Sequence, residues 1–196
     1  VDERLVRAAR EELGPGRTLM LDGGRAYSVK RALELLRRVE EHDLYWFEEA
    51  LQPDDLDGYA RLSERASVRI AAGEADETAT PFRELVERGR VDVLQPDLAR
   101  CGGFTVARQI ALLERSSGVE IVPHCFSTGI LVAASLHFVA TLERATWSEY
   151  SVADSPLVSG ILQEPFVLED GCLAVPSGPG LGVALDEDAI SHHRVA

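Results

Sequence analysis

The stretch LYWFEEAL, residues 44–51, runs from apolar and aromatic side chains directly into two adjacent carboxylates, Glu48 and Glu49. Its first half has the composition of a buried strand. An unpaired carboxylate is costly to bury, so the glutamates either reach solvent or meet a positive charge. The sequence on both sides repeats the pattern. Upstream, RTLMLDGG (17–24) reads as a strand and SVKRALELLRRVEEHD (28–43) as a helix with Ser28 as its N-cap. Downstream, a helix is expected over 54–67, a strand over 68–75 (VRIAAGEA) and a helix over 78–90, where Pro81 is tolerated in the first turn. Then come a strand over 91–98 (VDVLQPDL), a helix over 102–118 and a strand over 119–125 (VEIVPHC). An apolar helix over 128–144 and a strand over 146–152 (TWSEYSV) close the series, and residues 1–14 read as one more helix ahead of it.

Six strands alternating with helices predict an α/β fold of parallel strands with right-handed crossovers. Near-continuous apolar strands agree, because parallel strands are covered on both faces. The choice lies between an open doubly wound sheet and a closed (β/α)8 TIM-type barrel, and the strand ends decide it. Asp22, Glu48, Glu74, Asp97, His124 and Glu149 end the six strands, 26, 26, 23, 27 and 25 residues apart. A barrel gathers the C-terminal ends of all its strands around one mouth, whereas an open sheet spreads them across its width. A doubly wound nucleotide binder also needs a glycine-rich first turn. CGGF (101–104) lacks that spacing and comes late in the chain.

Asp22, Glu48 and Glu74 come from three successive strands, whose neighbours lie ~4.8 Å apart. Three carboxylates that close repel one another unless a cation sits among them. All-oxygen ligation favours a hard divalent ion, Mg2+ above all, with open positions for substrate oxygens. Glu49 is expected to face away, since adjacent strand residues alternate in direction. A single acidic residue after a strand is usually a solvated loop or cap residue, so the weight rests on the regular spacing. His124 is singled out because Asp97 ends the preceding strand, and such an aspartate fixes the tautomer of an imidazole. His42, His137, His192 and His193 have no such setting and read as structural or solvated.

Composition narrows the partners. Lys and Arg total 20 against 33 Asp and Glu, for a net charge of −13. That balance argues against nucleic acid or an anionic membrane as partner. Cys101, Cys125 and Cys172 follow no CxxC spacing and read as reduced thiols of a cytoplasmic protein. No apolar run approaches membrane-spanning length and no signal peptide is visible. The chain opens on Val1 instead of methionine, so a longer natural protein is expected.

LMLDGG, YWFEEAL, AAGEADE, VDVLQPDLARCGG, IVPHCFSTG and ATWSEYS together resemble the barrel motifs of the enolase superfamily, with spacing closest to its mandelate racemase subgroup. The resemblance spans roughly residues 15–180. It implies that Asp22, Glu48 and Glu74 bind Mg2+, that Asp97 and His124 form a catalytic dyad, and that Glu149 hydrogen-bonds a substrate carboxylate. The muconate-lactonising subgroup would carry a lysine near Asp97, and QPDLARCGG has none. Two departures stand out: Gly23-Gly24 where Ala-Asn is common, and Ala50 in place of proline. A third is the missing Lys-x-Lys motif of the second strand, for Lys30 is the only lysine. The resemblance therefore implies that residues 1–160 are strands three to eight of the barrel. Residues 161–196, hairpin-like around Asp170-Gly171, would pack toward a capping domain absent from this chain.

The expected chemistry is Mg2+-dependent removal of the proton α to a carboxylate through an enediolate, with His124 as base. The leading reading is an acid-sugar dehydratase. A racemase or epimerase of a 2-hydroxy acid would need a second base on the opposite face. A non-catalytic fragment lacking the lysine motif is a third reading, and a metal-dependent hydrolase barrel is a fourth that would need histidine ligands. A small carboxylate substrate and a homo-oligomer are expected.

Overall fold

The computed structural model describes residues 2–144, 147–153, 155–192 and 194. Helix α1 (Asp2–Leu13) leads into strand β1 (Leu19–Asp22), helix α2 (Val29–Val39), strand β2 (Leu44–Glu48) and helix α3 (Leu56–Arg65). Strand β3 (Arg69–Ala72), helix α4 (Ala79–Glu87), strand β4 (Val93–Leu94), helix α5 (Gly103–Ser117), strand β5 (Glu120–Ile121) and helix α6 (Gly129–Val139) follow. The five strands form one sheet in the order β1-β2-β3-β4-β5, every pair parallel. Spatial order thus equals chain order, with a helix between each pair of neighbours, as in a stretch of barrel wall.

Alternation of side chains along each strand divides the core in two. On one face Phe47, Ile70, Ala72, Leu94 and Ile121 pack with Leu33, Leu36, Leu62, Phe82 and Ile110 of the helices. Burying each of the larger ones is worth about 1.5–3 kcal/mol. On the other face Trp46, Ala71, Val93 and Val122 form a smaller cluster with Met20, Tyr45 and Trp147. Asp22 and Glu48 share the phase of Met20 and Trp46, so the strand ends deliver them to this inner face.

The expected helix over 28–43 is divided. Ser28 caps α2 by accepting from the Arg31 N–H, and a 3-10 turn (Glu40–His42) ends at Asp43, φ 47. His42 lies in that turn, and the imidazole Nε2 of His137, on α6, is 3.2 Å from the Leu181 carbonyl. His192 ends helix α7 (Glu187–His192), while His193 and Thr146 lie outside the described residues. Lys30 stands exposed on α2, 3.9 Å from Glu34.

The stretch expected as the sixth strand is irregular over 147–152. A strand exists by its ladder, and here the Cys125 N–H, at the end of the β5 segment, donates to the carboxylate of Glu149 instead of a backbone carbonyl.

Helix α6 is buried on most of its surface, as a helix with apolar residues all round must be. A π-helical turn (Pro156–Gly160) lies over it. Their close approach depends on Gly129: a Cβ there would meet the Val158 carbonyl and lie 2.7 Å from Leu162 Cδ1. Beyond it, β6 (Leu168–Glu169) and β7 (Cys172–Leu173) pair antiparallel. Asp170 at φ 49 and Gly171 at φ 77 supply the left-handed turn that a two-residue hairpin needs. Among the described residues no helix is long and apolar enough to cross a membrane. All three cysteines are free thiols, Cys101 and Cys125 buried and Cys172 exposed.

Candidate active site

Five of the six strand-end residues lie at, or two to three residues beyond, the C-terminal ends of β1 to β5, and Glu149 lies on the irregular segment held to the β5 segment. Asp22 and Glu48 are register partners across β1 and β2. Asp22 Oδ1 accepts from the Gly24 N–H at 2.8 Å, a turn that leaves its carboxylate exposed. Glu48 Oε2 accepts from the Trp46 indole at 3.0 Å. Burial pushes the Glu48 carboxyl up to about 7, the neighbouring charges of Asp22 and Glu149 add to the rise, and hydrogen bonds from Gln95 and Trp46 oppose it.

Glu49 turns the other way, as expected from strand alternation. Its Oε1 accepts from the Gly73 N–H at 3.0 Å and its Oε2 is 3.1 Å from Arg25 Nε. Burial pushes this carboxyl up to about 7 as well. The positive charge that LYWFEEAL demands is therefore Arg25, and it serves a second carboxylate too: Arg25 Nη2 is 2.7 Å from Glu74 Oε1.

His124 and Asp97 meet at 2.8 Å through Nδ1 and Oδ2. The aspartate is fixed in turn, with Oδ1 accepting from the Ala99 N–H at 2.7 Å and Arg100 Nε 3.8 Å from Oδ2. The other ring nitrogen, Nε2, points to Glu74, 3.4 Å from Oε2. Burial presses the His124 pKa down, but the Asp97 hydrogen bond and the charges of Glu149, Glu74 and Asp97 outweigh it, leaving it raised. Burial would lift Asp97, yet the His124 and Ala99 hydrogen bonds and the charges of His124 and Arg100 leave it lowered. The pair is one polarised unit, with Nδ1 committed to Asp97 and Nε2 facing Glu74.

The carboxylate trio is brought to one region without closing on one point. Among the described residues no three acidic, imidazole or thiol groups converge closely enough to hold an ion. Asp22 and Glu149 act electrostatically on Glu48, whereas Glu74 acts on Glu49 and His124. The donor set nonetheless suits a hard cation. It is all oxygen, Glu48 is half-buried beside the like charges of Asp22 and Glu149, and the buried Gln95 Oε1 at its side has no hydrogen-bond partner.

Sequence reasoning missed three of these groups. Gln95 was readable, since it shares the inward phase of Val93 and Asp97. Arg25 and Arg100 lie on loops, where no periodicity announces a side chain's direction.

The profile of the enolase C-terminal domain-like family matches residues 1–189. The D-galactarolactone cycloisomerase of Agrobacterium fabrum is 35% identical over 202 residues, covering 99% of this chain and 53% of that protein. The L-rhamnonate dehydratase of Saccharopolyspora erythraea is 37% identical over 194 residues, covering 95% and 48% respectively. The chain thus spans about half the length of the curated relatives it matches. Among solved structures, the 3,6-anhydro-D-galactonate cycloisomerase of Zobellia galactanivorans superposes with a TM-score of 0.93 at 37% identity, over 98% of this chain and 54% of its own. A racemase from Streptomyces coelicolor with bound magnesium gives 0.87 at 31% identity, over 97% and 50%.

Proposed function

Because this chain belongs to the enolase C-terminal domain-like family, we propose that it carries the proton-abstracting half of an acid-sugar dehydratase. The observation behind this reading is the His124–Asp97 hydrogen bond of 2.8 Å, which commits Nδ1 and turns Nε2 toward the acidic cluster, 3.4 Å from Glu74 Oε2. Asp97 holds the proton on Nδ1, so Nε2 is the basic atom. Nε2 takes the proton α to the substrate carboxylate, and the electron pair of that C–H bond moves into the enediolate. The pair then returns to form the C=C bond as the β-oxygen leaves. The imidazolium formed in the first step is the acid that protonates this leaving oxygen.

Asp22, Glu48 and Glu74 are the residues that would hold Mg2+, which when bound would neutralise charge developing on the carboxylate oxygens. Glu149, whose carboxylate accepts from the Cys125 N–H, would hydrogen-bond the substrate. The relatives named as cycloisomerases favour a closely allied second reading. If the leaving β-oxygen belongs to a ring ether, it stays attached to the product and the same elimination is an isomerisation. The base proposed on this chain is His124 alone, so racemisation needs a second base from elsewhere.

The test is α-proton exchange in deuterated water, run with a panel of acid sugars and Mg2+ on the active enzyme. His124→Ala should abolish both exchange and turnover. Exchange at the wild-type rate with a substrate that turns over would return His124 to a structural role.

A further inference from the structure

The acidic cluster contains a cation of its own. Arg25 stands in the turn after β1 at φ 60, a region that residues other than glycine rarely adopt. Its backbone is held there from two sides: its N–H donates to the Glu49 carbonyl at 2.5 Å, and its carbonyl accepts from Gln52 Nε2 at 2.9 Å. From this fixed base the guanidinium bridges two carboxylates, with Nε 3.1 Å from Glu49 Oε2 and Nη2 2.7 Å from Glu74 Oε1.

The two ends of the bridge are not equivalent. The Glu49 side chain is 2% exposed, and no other cation is paired with it among the described residues. Taking the guanidinium away would strand a buried charge. The Glu74 side chain is 15% exposed, and its second oxygen faces His124 at 3.4 Å. The Glu49 end is therefore the anchor and the Glu74 end the one that can let go.

We infer that Arg25 is the resident counter-cation of this site and exchanges with a divalent ion on Glu74. In the metal-free protein the guanidinium neutralises Glu74; when a divalent ion takes that carboxylate, Arg25 moves off it while staying on Glu49. The inference rests on reading Asp22, Glu48 and Glu74 as ligands. Its consequence is that Arg25 weakens metal binding. It occupies a lone pair the ion needs, and its charge opposes a dication at short range.

Titration calorimetry with Mn2+ tests this directly. Arg25→Gln should bind Mn2+ about tenfold more tightly than wild type, the effect being moderated by solvent at a half-exposed guanidinium. Arg25→Lys, which keeps charge but cannot bridge, should fall between. In arginine-labelled wild type, the Arg25 Nε–H resonance should shift but persist when Mg2+ is added, because the Glu49 contact is retained. Equal or weaker Mn2+ binding by Arg25→Gln with an unchanged circular dichroism spectrum overturns the exchange. Should that variant not fold, Arg25→Lys binding no tighter than wild type, or an Arg25 resonance that Mg2+ leaves unmoved, overturns it equally. Binding abolished by Glu48→Gln but indifferent to Arg25 overturns the exchange and leaves the ligand reading standing. No Mn2+ binding by any of them overturns the ligand reading and the exchange with it.

Discussion

Asp97 and His124 show how little a catalytic proposal needs from any one residue and how much from a pair. An imidazole alone titrates near neutrality and points either nitrogen outward. With Asp97 Oδ2 at 2.8 Å, one nitrogen is committed and the other becomes the working atom. Asp97 is itself committed by the Ala99 N–H and by Arg100, so the orientation runs from backbone to carboxylate to ring. Asp97→Asn keeps the shape but presents an amide that can donate to Nδ1 and move the ring proton to Nε2. Turnover should fall by roughly 10⁴-fold, the loss that follows when a histidine base loses its orienting aspartate. Circular dichroism and Mn2+ binding should be unchanged, which separates lost orientation from lost structure.

At the scale of elements, the two departures from the family pattern, Gly23 and Ala50, meet in space. A Cβ on Gly23 would lie 2.8 Å from Ala50 Cα and 2.9 Å from Phe47 Cε2. The same junction carries the Gly23 N–H to the Glu48 carbonyl at 2.7 Å and the Tyr27 N–H to the Ala50 carbonyl at 3.0 Å. The turns after β1 and β2 are thus zipped together, and a side chain at position 23 would prise apart the backbone that aims Asp22, Glu48 and Arg25. Gly23→Ala should destabilise the fold by about 1–3 kcal/mol, the usual range for overpacking, read as a lower urea midpoint at unchanged slope. Position 23 was legible as a departure from pattern; its steric reason was not, because the atoms it meets lie on the next strand.

For the whole molecule, the site is a charge problem distributed over several loops. The chain carries −13 overall and gathers Asp22, Glu48, Glu49, Glu74, Asp97 and Glu149 at one end of its sheet, against Arg25 and Arg100. An ion that binds the native cluster and not the unfolded chain adds stability by mass action, about 2.7 kcal/mol at a hundredfold excess over Kd. Mg2+ should therefore raise the melting temperature of the wild type, and a chelator should reverse the gain. Glu48→Gln should remove the response. A melting temperature indifferent to Mg2+ in the wild type would count against the three carboxylates as ligands.

The sequence by itself determined the parallel order of the strands, the phase of the strand-end residues and the meeting of Asp97 with His124. These follow from period-two and period-3.6 patterns and from a regular βα spacing, all of them properties of short windows of chain. The tertiary structure alone decided that Glu49 would pair with Arg25 and accept from Gly73, and that Arg25 would reach Glu74 across 49 residues of sequence. It alone decided that Glu149 would take the Cys125 N–H from an irregular segment instead of a sixth ladder. Those outcomes depend on loop conformation and on which carboxylate a single guanidinium reaches first, and neither leaves a periodic trace in the order of the residues.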